Sequence, residues 1–363
     1  MVNFDKIFYD DTKNGMKIPT GDYLAGGAYQ IIDQSQNQVG GYTNNKDGLY
    51  ENVPAFIFGD HTRVVKFVDK PFFIGADGVK ILKAIDEKND AKYLYYYLSS
   101  KKIENTGYNR HFKWLKETKY VLPPLPTQQR IAAELDAVCG VLAKQKQQYK
   151  LLGELVKSKF NEMFGCGQYE LKPIGEFVKK DIVKIKKSFN ETDEIQYIDI
   201  SSIDKSQQSI VGVTKYKAKD APSRAQYVLQ QNDILVSTVR PNLRNVAVVK
   251  SSDKDMVGST GFSVLRCAEK INHEFLFNIV NGEEFANRLM KVVKGANYPA
   301  VSDADIKGML IPIPPLHTQT QFADFVTQTE QAKLKLKAEM EQTETLYKAL
   351  MQKYFKNGGE NER

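Results

Sequence analysis

The sequence predicts an α+β protein made of two copies of one module, each a β-rich globular domain followed by a long helix. Three observations predict it. The block Leu122-Pro123-Pro124-Leu125-Pro126-Thr127-Gln128 returns as Ile313-Pro314-Pro315-Leu316-His317-Thr318-Gln319, and a repeated proline block ahead of a repeated helix marks a duplicated module. In the same register Leu135 meets Val326, Leu155 meets Leu346 and Phe164 meets Phe355, so the helices are copies too. Upstream, Gly75-Ala76-Asp77-Gly78 resembles Gly258-Ser259-Thr260-Gly261, and Tyr93-Leu94-Tyr95-Tyr96-Tyr97-Leu98 resembles Phe275-Leu276-Phe277-Asn278-Ile279-Val280. The upstream pairs stand 182 or 183 residues apart and the helix pairs 191, which places an insertion of nine residues in the second copy between its Phe275 helix and its proline block. Length differences of that kind fall in surface loops, where function also concentrates.

The chain divides accordingly into a first domain (1–122), a first helix (123–166), a second domain (167–312), a second helix (313–357) and a short tail (358–363). In the first domain, β-rich runs alternate with turn signals: Tyr29-Gln30-Ile31-Ile32, then Gly40 to Asn45, Ala55-Phe56-Ile57-Phe58 and Val64-Val65-Lys66-Phe67. Its counterpart shows Ile195-Gln196-Tyr197-Ile198, Asp233-Ile234-Leu235-Val236 and Val246-Ala247-Val248-Val249. A short aromatic helix follows each β region, Ala91 to Ser99 and Glu274 to Ile279, and strands followed by helices make the class α+β.

The prolines cannot donate to a helix or sheet ladder and push the preceding residue into extended backbone, so they form a stiff lead into each helix. Thr127 and Thr318 then stand where an N-cap is wanted. Steps of four and three from Ile131 give Ile131, Leu135, Val138, Leu142, Gln145, Tyr149, Leu152, Val156, Lys159 and Met163, a heptad seam. The second series is Phe322, Val326, Thr329, Lys333, Leu336, Met340, Thr343, Tyr347, Leu350 and Tyr354. The natural partner of each stripe is the other copy, which makes a two-helix coiled coil; packing of each helix on its own domain is the plainer alternative.

Composition bounds the class. With 42% hydrophobic and 26% charged residues the chain is an ordinary globular one, and no run of about 18 apolar residues or basic-then-apolar leader stands in it, so a cytosolic protein without a membrane role is expected. Cys139, Cys166 and Cys267 never pair as CxxC and are expected as free thiols, with no metal site; His273 and His317 have no ligand set at suitable spacing. The net charge of +7 is spread evenly, 17 Lys/Arg against 15 Asp/Glu in residues 1–122 and 21 against 18 in residues 168–312. It is compatible with nucleic acid without demonstrating it. No P-loop, no Asn/Asp-Pro-Pro-Tyr/Phe element and no cofactor-binding glycine loop occurs, so neither a cofactor nor catalysis is expected; the Gly75/Gly78 and Gly258/Gly261 pairs, with no Lys-Ser/Thr after them, are tight turns.

Two globular domains, each followed by a proline-led helix, resemble the specificity subunit of type I restriction-modification enzymes. The stretches that carry the resemblance are Asn297-Tyr298-Pro299-Ala300-Val301-Ser302 through Leu310-Ile311-Pro312-Ile313-Pro314-Pro315-Leu316, the Tyr93 to Leu98 helix, and Gln30-Ile31-Ile32 leading to Gly41-Tyr42-Thr43. The resemblance covers nearly the whole chain. It implies two target recognition domains related by a pseudo-twofold repeat, each reading one half of a bipartite site in double-stranded DNA. It also implies helices that pair antiparallel and set the spacer, two methyltransferase subunits and restriction/translocase subunits as partners, a prokaryotic cytoplasm, and no catalysis by this chain. In one respect the chain departs from the pattern. The second domain opens with Leu171-Lys172-Pro173-Ile174-Gly175-Glu176, whereas the first reaches Tyr29 without an obvious version of that strand, so its start is expected to be shortened or rearranged.

Sequence readout needs long donors and acceptors on loops, with Arg suited to guanine and Asn or Gln to adenine. In the first domain the candidates are Tyr42 and Asn44, His61, Thr62 and Arg63 after a strand, and Asn109, Arg110, His111 and Lys113 ahead of the proline block. In the second they are Ser237, Thr238, Arg240, Asn242, Arg244 and Asn245 between two strands, with Lys294, Asn297 and Tyr298 ahead of the second proline block. The alternative at each loop is a solvated hairpin tip, and Trp114 is expected to pack rather than to touch DNA. Two rival functions remain at this level: a specificity subunit serving a fused nuclease-methyltransferase of a type II system, and a non-catalytic coiled-coil scaffold.

Overall fold

A computed structural model describes residues 1–355 apart from Ala76, Tyr108, Cys166, Gln168, Ser206 and residues 295–298. Its helices are α1 (Ala91–Ser100), α2 (Phe112–Lys116), α3 (Leu125–Phe164), α4 (His273–Val280), α5 (Glu283–Met290), α6 (Asp303–Lys307) and α7 (Leu316–Phe355). The chain folds as two compact units that cut across the long helices. The first unit holds Met1–Gln147 and the chain from Lys337 on, and the second holds Gln148–Leu336.

In the first unit, a four-stranded antiparallel sheet runs in the order Phe8–Asp10, Val79–Ala84, Ala55–Gly59, Val65–Val68. A three-stranded sheet orders Gly41–Thr43, Tyr29–Ile32 and Phe72–Ile74, the last two parallel. Ala55–Gly59 is buried along its whole length, which explains its unbroken apolar run. Side chains alternate across a strand, and here they serve two cores. Phe56 and Phe58 join an aromatic core with Phe8, Tyr97 and Tyr120, while Ala55 and Ile57 join Ile32, Phe72, Ile74 and Ile81. Helix α1 lies on the aromatic side. Asp90 caps it, accepting from Tyr93 N–H at 2.8 Å, and Tyr93, Leu94, Tyr96, Tyr97 and Leu98 are buried.

The second unit repeats the plan, with Val246–Val248, Ile234–Ser237 and Phe262–Leu265 in one sheet and Thr214–Lys217, Glu194–Ile198, Met256–Ser259 and Ala225–Val228 in the other. Again one neighbouring pair, Glu194–Ile198 with Met256–Ser259, is parallel. A buried ion pair ties the paired ends of Ile234–Ser237 and Phe262–Leu265, and its arginine reaches the other sheet at Val228. Arg266 donates through Nε to Asp233 Oδ1 at 2.8 Å and through Nη2 to Asp233 Oδ2 at 2.7 Å and Val228 O at 3.0 Å. Both side chains are nearly out of water, at 10% and 1% exposure, so the fork geometry and the extra carbonyl satisfy charges that solvent cannot. Next to it, burial pushes the Cys267 thiol up to about 12, with the Asp233 carboxylate adding to the shift. A thiol with so little thiolate should resist iodoacetamide at pH 8 in the native protein and react once urea unfolds the second unit; rapid labelling of native Cys267 would contradict this. Cys166 lies outside the described residues.

Two sequence expectations change. The first domain does have its leading strand: Val2–Asn3 pairs with Lys119–Tyr120 and runs into a 3-10 turn at Phe4–Lys6, as Leu171–Pro173 pairs with Leu310–Pro312 and runs into Ile174–Glu176. The start is therefore not rearranged; Asn3-Phe4-Asp5 simply does the work of Pro173-Ile174-Gly175 in other residues. Thr127 and Thr318 are not caps, because α3 and α7 already begin at Leu125 and Leu316. Proline is well suited to a first helical turn, which lets Pro126 lie inside α3. The next residue matters more. Gln128, 2% exposed, accepts from Asp90 N–H at 3.0 Å and donates to Pro123 O at 2.8 Å; Gln319, 0% exposed, accepts from Asn272 N–H at 2.8 Å and donates to Pro314 O at 2.8 Å. Asp90 and Asn272 are the N-caps of α1 and α4, so each copy ties its aromatic helix to its proline lead with the same buried amide.

The long helices pack together within each unit, and their contacts run antiparallel. In the first, Tyr354 OH donates to Glu134 at 2.5 Å, Lys146 meets Glu344 at 3.5 Å, and Tyr347 and Leu350 pack in the core with Ile131, Leu135 and Val138. In the second, Val156, Phe160 and Phe164 pack with Phe322 and Val326. Ile131, Leu135, Val156, Phe322, Val326, Leu336 and Leu350 are buried, and Val138, Leu142, Leu152, Met340 and Tyr347 are half-buried. Tyr149 is exposed. It stands in the stretch of α3 between Cys139 and Val156 that joins neither core, where a phenol keeps its hydroxyl in water.

A candidate nucleic-acid interface in each unit

The two polar loops of the first domain come together at one end of its four-stranded sheet. Asp60 is the organiser. Its N–H donates to Gly78 O at 2.7 Å, its carbonyl accepts from His111 N–H at 2.8 Å, and its carboxylate accepts from Phe112 N–H at 2.7 Å. His61 Nδ1 lies 3.2 Å from Asn109 O, and Gln34 ties the hairpin to the neighbouring sheet by accepting from His61 N–H and from Thr62 Oγ1 through its backbone carbonyl at 2.7 Å. Thr62, Asn109, Arg110 and Lys113 are exposed there, and His61 and Arg63 are half-exposed. His111 is different. It is 0% exposed, stacks near Trp114 at 5.2 Å and holds Asp60 O at 2.9 Å through Nδ1, so it shapes the loop from inside. Tyr42 and Asn44 belong to the other sheet, where Asn44 accepts from Ala28 N–H at 3.0 Å.

In the second unit the backbone bonds of Asp60 recur. Thr238 N–H donates to Gly261 O at 2.9 Å as Asp60 does to Gly78, and Val301 N–H donates to Thr238 O at 2.9 Å as His111 does to Asp60. Arg240 N–H reaches Pro299 O at 2.8 Å, which binds the hairpin loop to the chain ahead of α6. Arg240, Asn242 and Lys294 are exposed, while Thr238 and Arg244 are half-exposed. Ser237 and Asn245 are buried at 2% and 4%, closing the hairpin through Ser237 N–H to Asn245 O at 3.0 Å. Asn297 and Tyr298 lie outside the described residues. The nine inserted residues also find a place: α5 has no counterpart among the described residues of 101–111. It packs behind this loop, where Phe285 and Leu289 share a cavity of about 10 Å³ with Pro241, Arg244 and Asn245.

Sequence reasoning missed three residues here. Gln34 sits far from the hairpin in sequence, and Arg224 is brought in by its carbonyl, which accepts from Thr260 N–H at 2.8 Å beside Gly261. Asp77, the counterpart of Thr260, pairs with Lys17 at 2.6 Å. All three depend on pairing between distant strands, which leaves no local pattern.

The hairpin arginines are also strained. Among the described residues five non-glycine residues have positive φ, and three of them are Arg63 (62°), Arg240 (50°) and Arg244 (52°). Left-handed backbone costs about 1–2 kcal/mol for a residue with a Cβ, and arginine lacks the short side chain that makes Asn and Asp tolerant. Strain of this kind gathers where function is served rather than stability. Among the described residues no cluster of three or more His, Cys, Asp or Glu is placed to hold a metal ion. No described helix is long and apolar enough to cross a membrane.

Two β-rich units on a shared pair of helices, each presenting an arginine-bearing hairpin with no clustered metal ligands among the described residues, define a two-headed recognition protein. The profile of the type I restriction modification DNA specificity domain matches residues 7–151 and again 166–344. The chain belongs to that family. It is 24% identical over 317 residues to the type I restriction enzyme MjaVIII specificity subunit of Methanocaldococcus jannaschii, covering 77% of this chain and 74% of that one. A solved type I restriction-modification S subunit from M. genitalium shares the fold, with TM-score 0.60 at 15% identity over 97% of this chain and 95% of that one. The HsdS subunit from Thermoanaerobacter tengcongensis is 30% identical over 50% of this chain, at TM-score 0.41; the match spans about half of its length, 47%.

Proposed function

We propose that this chain is the DNA-recognition subunit of a type I restriction-modification complex, each unit reading one half of a bipartite site. The observation that carries the reading is the duplicated hairpin frame, built from the same backbone hydrogen bonds in both units and lined on its open side with Arg, Asn, Thr and Lys. Long donors on a rigid β frame suit base edges and phosphates together. The exposed members, Thr62, Asn109, Arg110, Lys113, Arg240, Asn242 and Lys294, with half-exposed His61, Arg63, Thr238 and Arg244, form the contact set. His111, Ser237 and Asn245 serve as supports beneath it. Modification comes from two methyltransferase subunits that dock on the assembly, cleavage from restriction/translocase subunits, and the site of action is the cytoplasm of a prokaryote. The chain itself supplies no chemistry.

Selection from random DNA with the methyltransferase complex is the test, and a bipartite site with two fixed halves and a fixed gap is expected. The helices should set that gap. Seven residues added to α3 after Tyr149 and to α7 after Met340 keep the seam in register and lengthen the pair by roughly 10 Å, about three base pairs. The halves should keep their sequences while the spacer grows. An unchanged spacer in an active, folded complex would show that something else sets the distance.

A further inference from the structure

Resting on that reading, we infer that Arg63 and Arg244 are a matched pair, each reading a guanine at the corresponding place of its own half-site. The two residues look unrelated in sequence, because one hairpin loop has four residues and the other seven. The backbone equates them. Gly59 N–H closes the first hairpin on Val64 O at 2.8 Å, and Ser237 N–H closes the second on Asn245 O at 3.0 Å. In each case the residue just before the closing one is arginine, and each arginine is left-handed, at φ 62° and 52°. Two turns of different length hold the same residue type in the same disfavoured conformation.

The hairpin holds each backbone, with Arg63 N–H on Gly59 O at 2.7 Å and Arg244 N–H on Pro241 O at 3.0 Å, but it does not satisfy the guanidinium groups. Among the described residues the Arg63 guanidinium makes no hydrogen bond or ion pair. The Arg244 Nε–H is buried with no acceptor, and in the next residue Asn245 Oδ1 is buried with no donor. A strained backbone and a desolvated donor at one residue both work against stability, and glycine would relieve both. What arginine supplies at such a position is an aimed fork. A left-handed residue points its side chain differently from its strand neighbours, and a planar pair of donors held in one direction suits the O6 and N7 of guanine, whereas a phosphate would accept a charge from any flexible lysine.

The test uses the full chain in its methyltransferase complex, with a site selection for the parent and for R63K, R63G, R244K and R244G. Lysine keeps charge and strain but loses the fork; glycine removes all three. Both variants at Arg63 should lose roughly 5- to 150-fold discrimination at one G·C pair in one half-site, both at Arg244 at one G·C pair in the other, and every remaining position should keep its preference. The glycine variants should melt at an unchanged or higher temperature. Retained base preference in the lysine variants, with weakening on all sequences only in the glycine ones, would make these phosphate contacts and overturn the inference. So would a lower melting temperature for the glycine variants, which would mean that the side chains are kept for packing. Absence of any bipartite preference in the parent complex would instead defeat the proposed function itself.

Discussion

Asp233→Ala should destabilise the second unit by about 3–5 kcal/mol, the largest single effect expected in the chain. The reason is the asymmetry of buried charge. With the carboxylate gone, the Arg266 guanidinium stays buried with only Val228 O to accept from its N–H groups, and the paired ends of Ile234–Ser237 and Phe262–Leu265 lose their ion pair. A double variant, D233A with R266M, should recover most of the loss, since an apolar pair of similar volume removes the stranded charge instead of leaving it. Urea unfolding followed by hydrogen exchange at Ile234–Ser237 and Phe262–Leu265 reads both variants. A double variant as unstable as the single one would show that shape, not charge, fixes this junction.

Phe164→Ala should be almost as severe, at about 3–5 kcal/mol, and its address is the informative part. Phe164 closes α3, the helix that follows the first domain, yet its ring lies 4.8 Å from Phe275 and 5.5 Å from Phe322, in the core of the second unit. Phe355, its repeat partner at the end of α7, lies 5.5 Å from Tyr93 and 5.0 Å from Tyr97 in the first unit. Each unit thus takes the start of one long helix and the end of the other. Hydrogen exchange on Phe164→Ala should show protection lost at His273–Val280 and kept at Ala91–Ser100; the reverse pattern would contradict the exchange of helix ends.

What the sequence disclosed follows the range of the physics behind it. The proline blocks, the heptad stripe and the aromatic helices are local patterns, and helices α1, α3, α4 and α7 lie where they point, although Tyr149 of the stripe is exposed. The insertion was visible as a change of register, but only packing turns it into α5. The two-residue strand at Val2–Asn3 was invisible, since its partner Lys119–Tyr120 is more than a hundred positions away and two residues carry no alternation. His111 read as a loop polar group, and only its place beneath Asp60 makes it a support. The left-handed backbone of Arg63 and Arg244 could not be read at all, because a dihedral that the residue itself disfavours is imposed by the hairpin around it.

The exchange of helix ends also sets an order of events during synthesis. The second unit is one continuous stretch, Gln148–Leu336, and can close as soon as that stretch has emerged. The first begins earlier but lacks Tyr347, Leu350 and Phe355 until α7 is finished, so one side of its aromatic core waits uncovered through the making of the whole second unit. A ribosome would therefore release the recognition heads in reverse: the head translated first becomes native last. In that interval its exposed tyrosines and phenylalanines are the surface on which a chaperone would act.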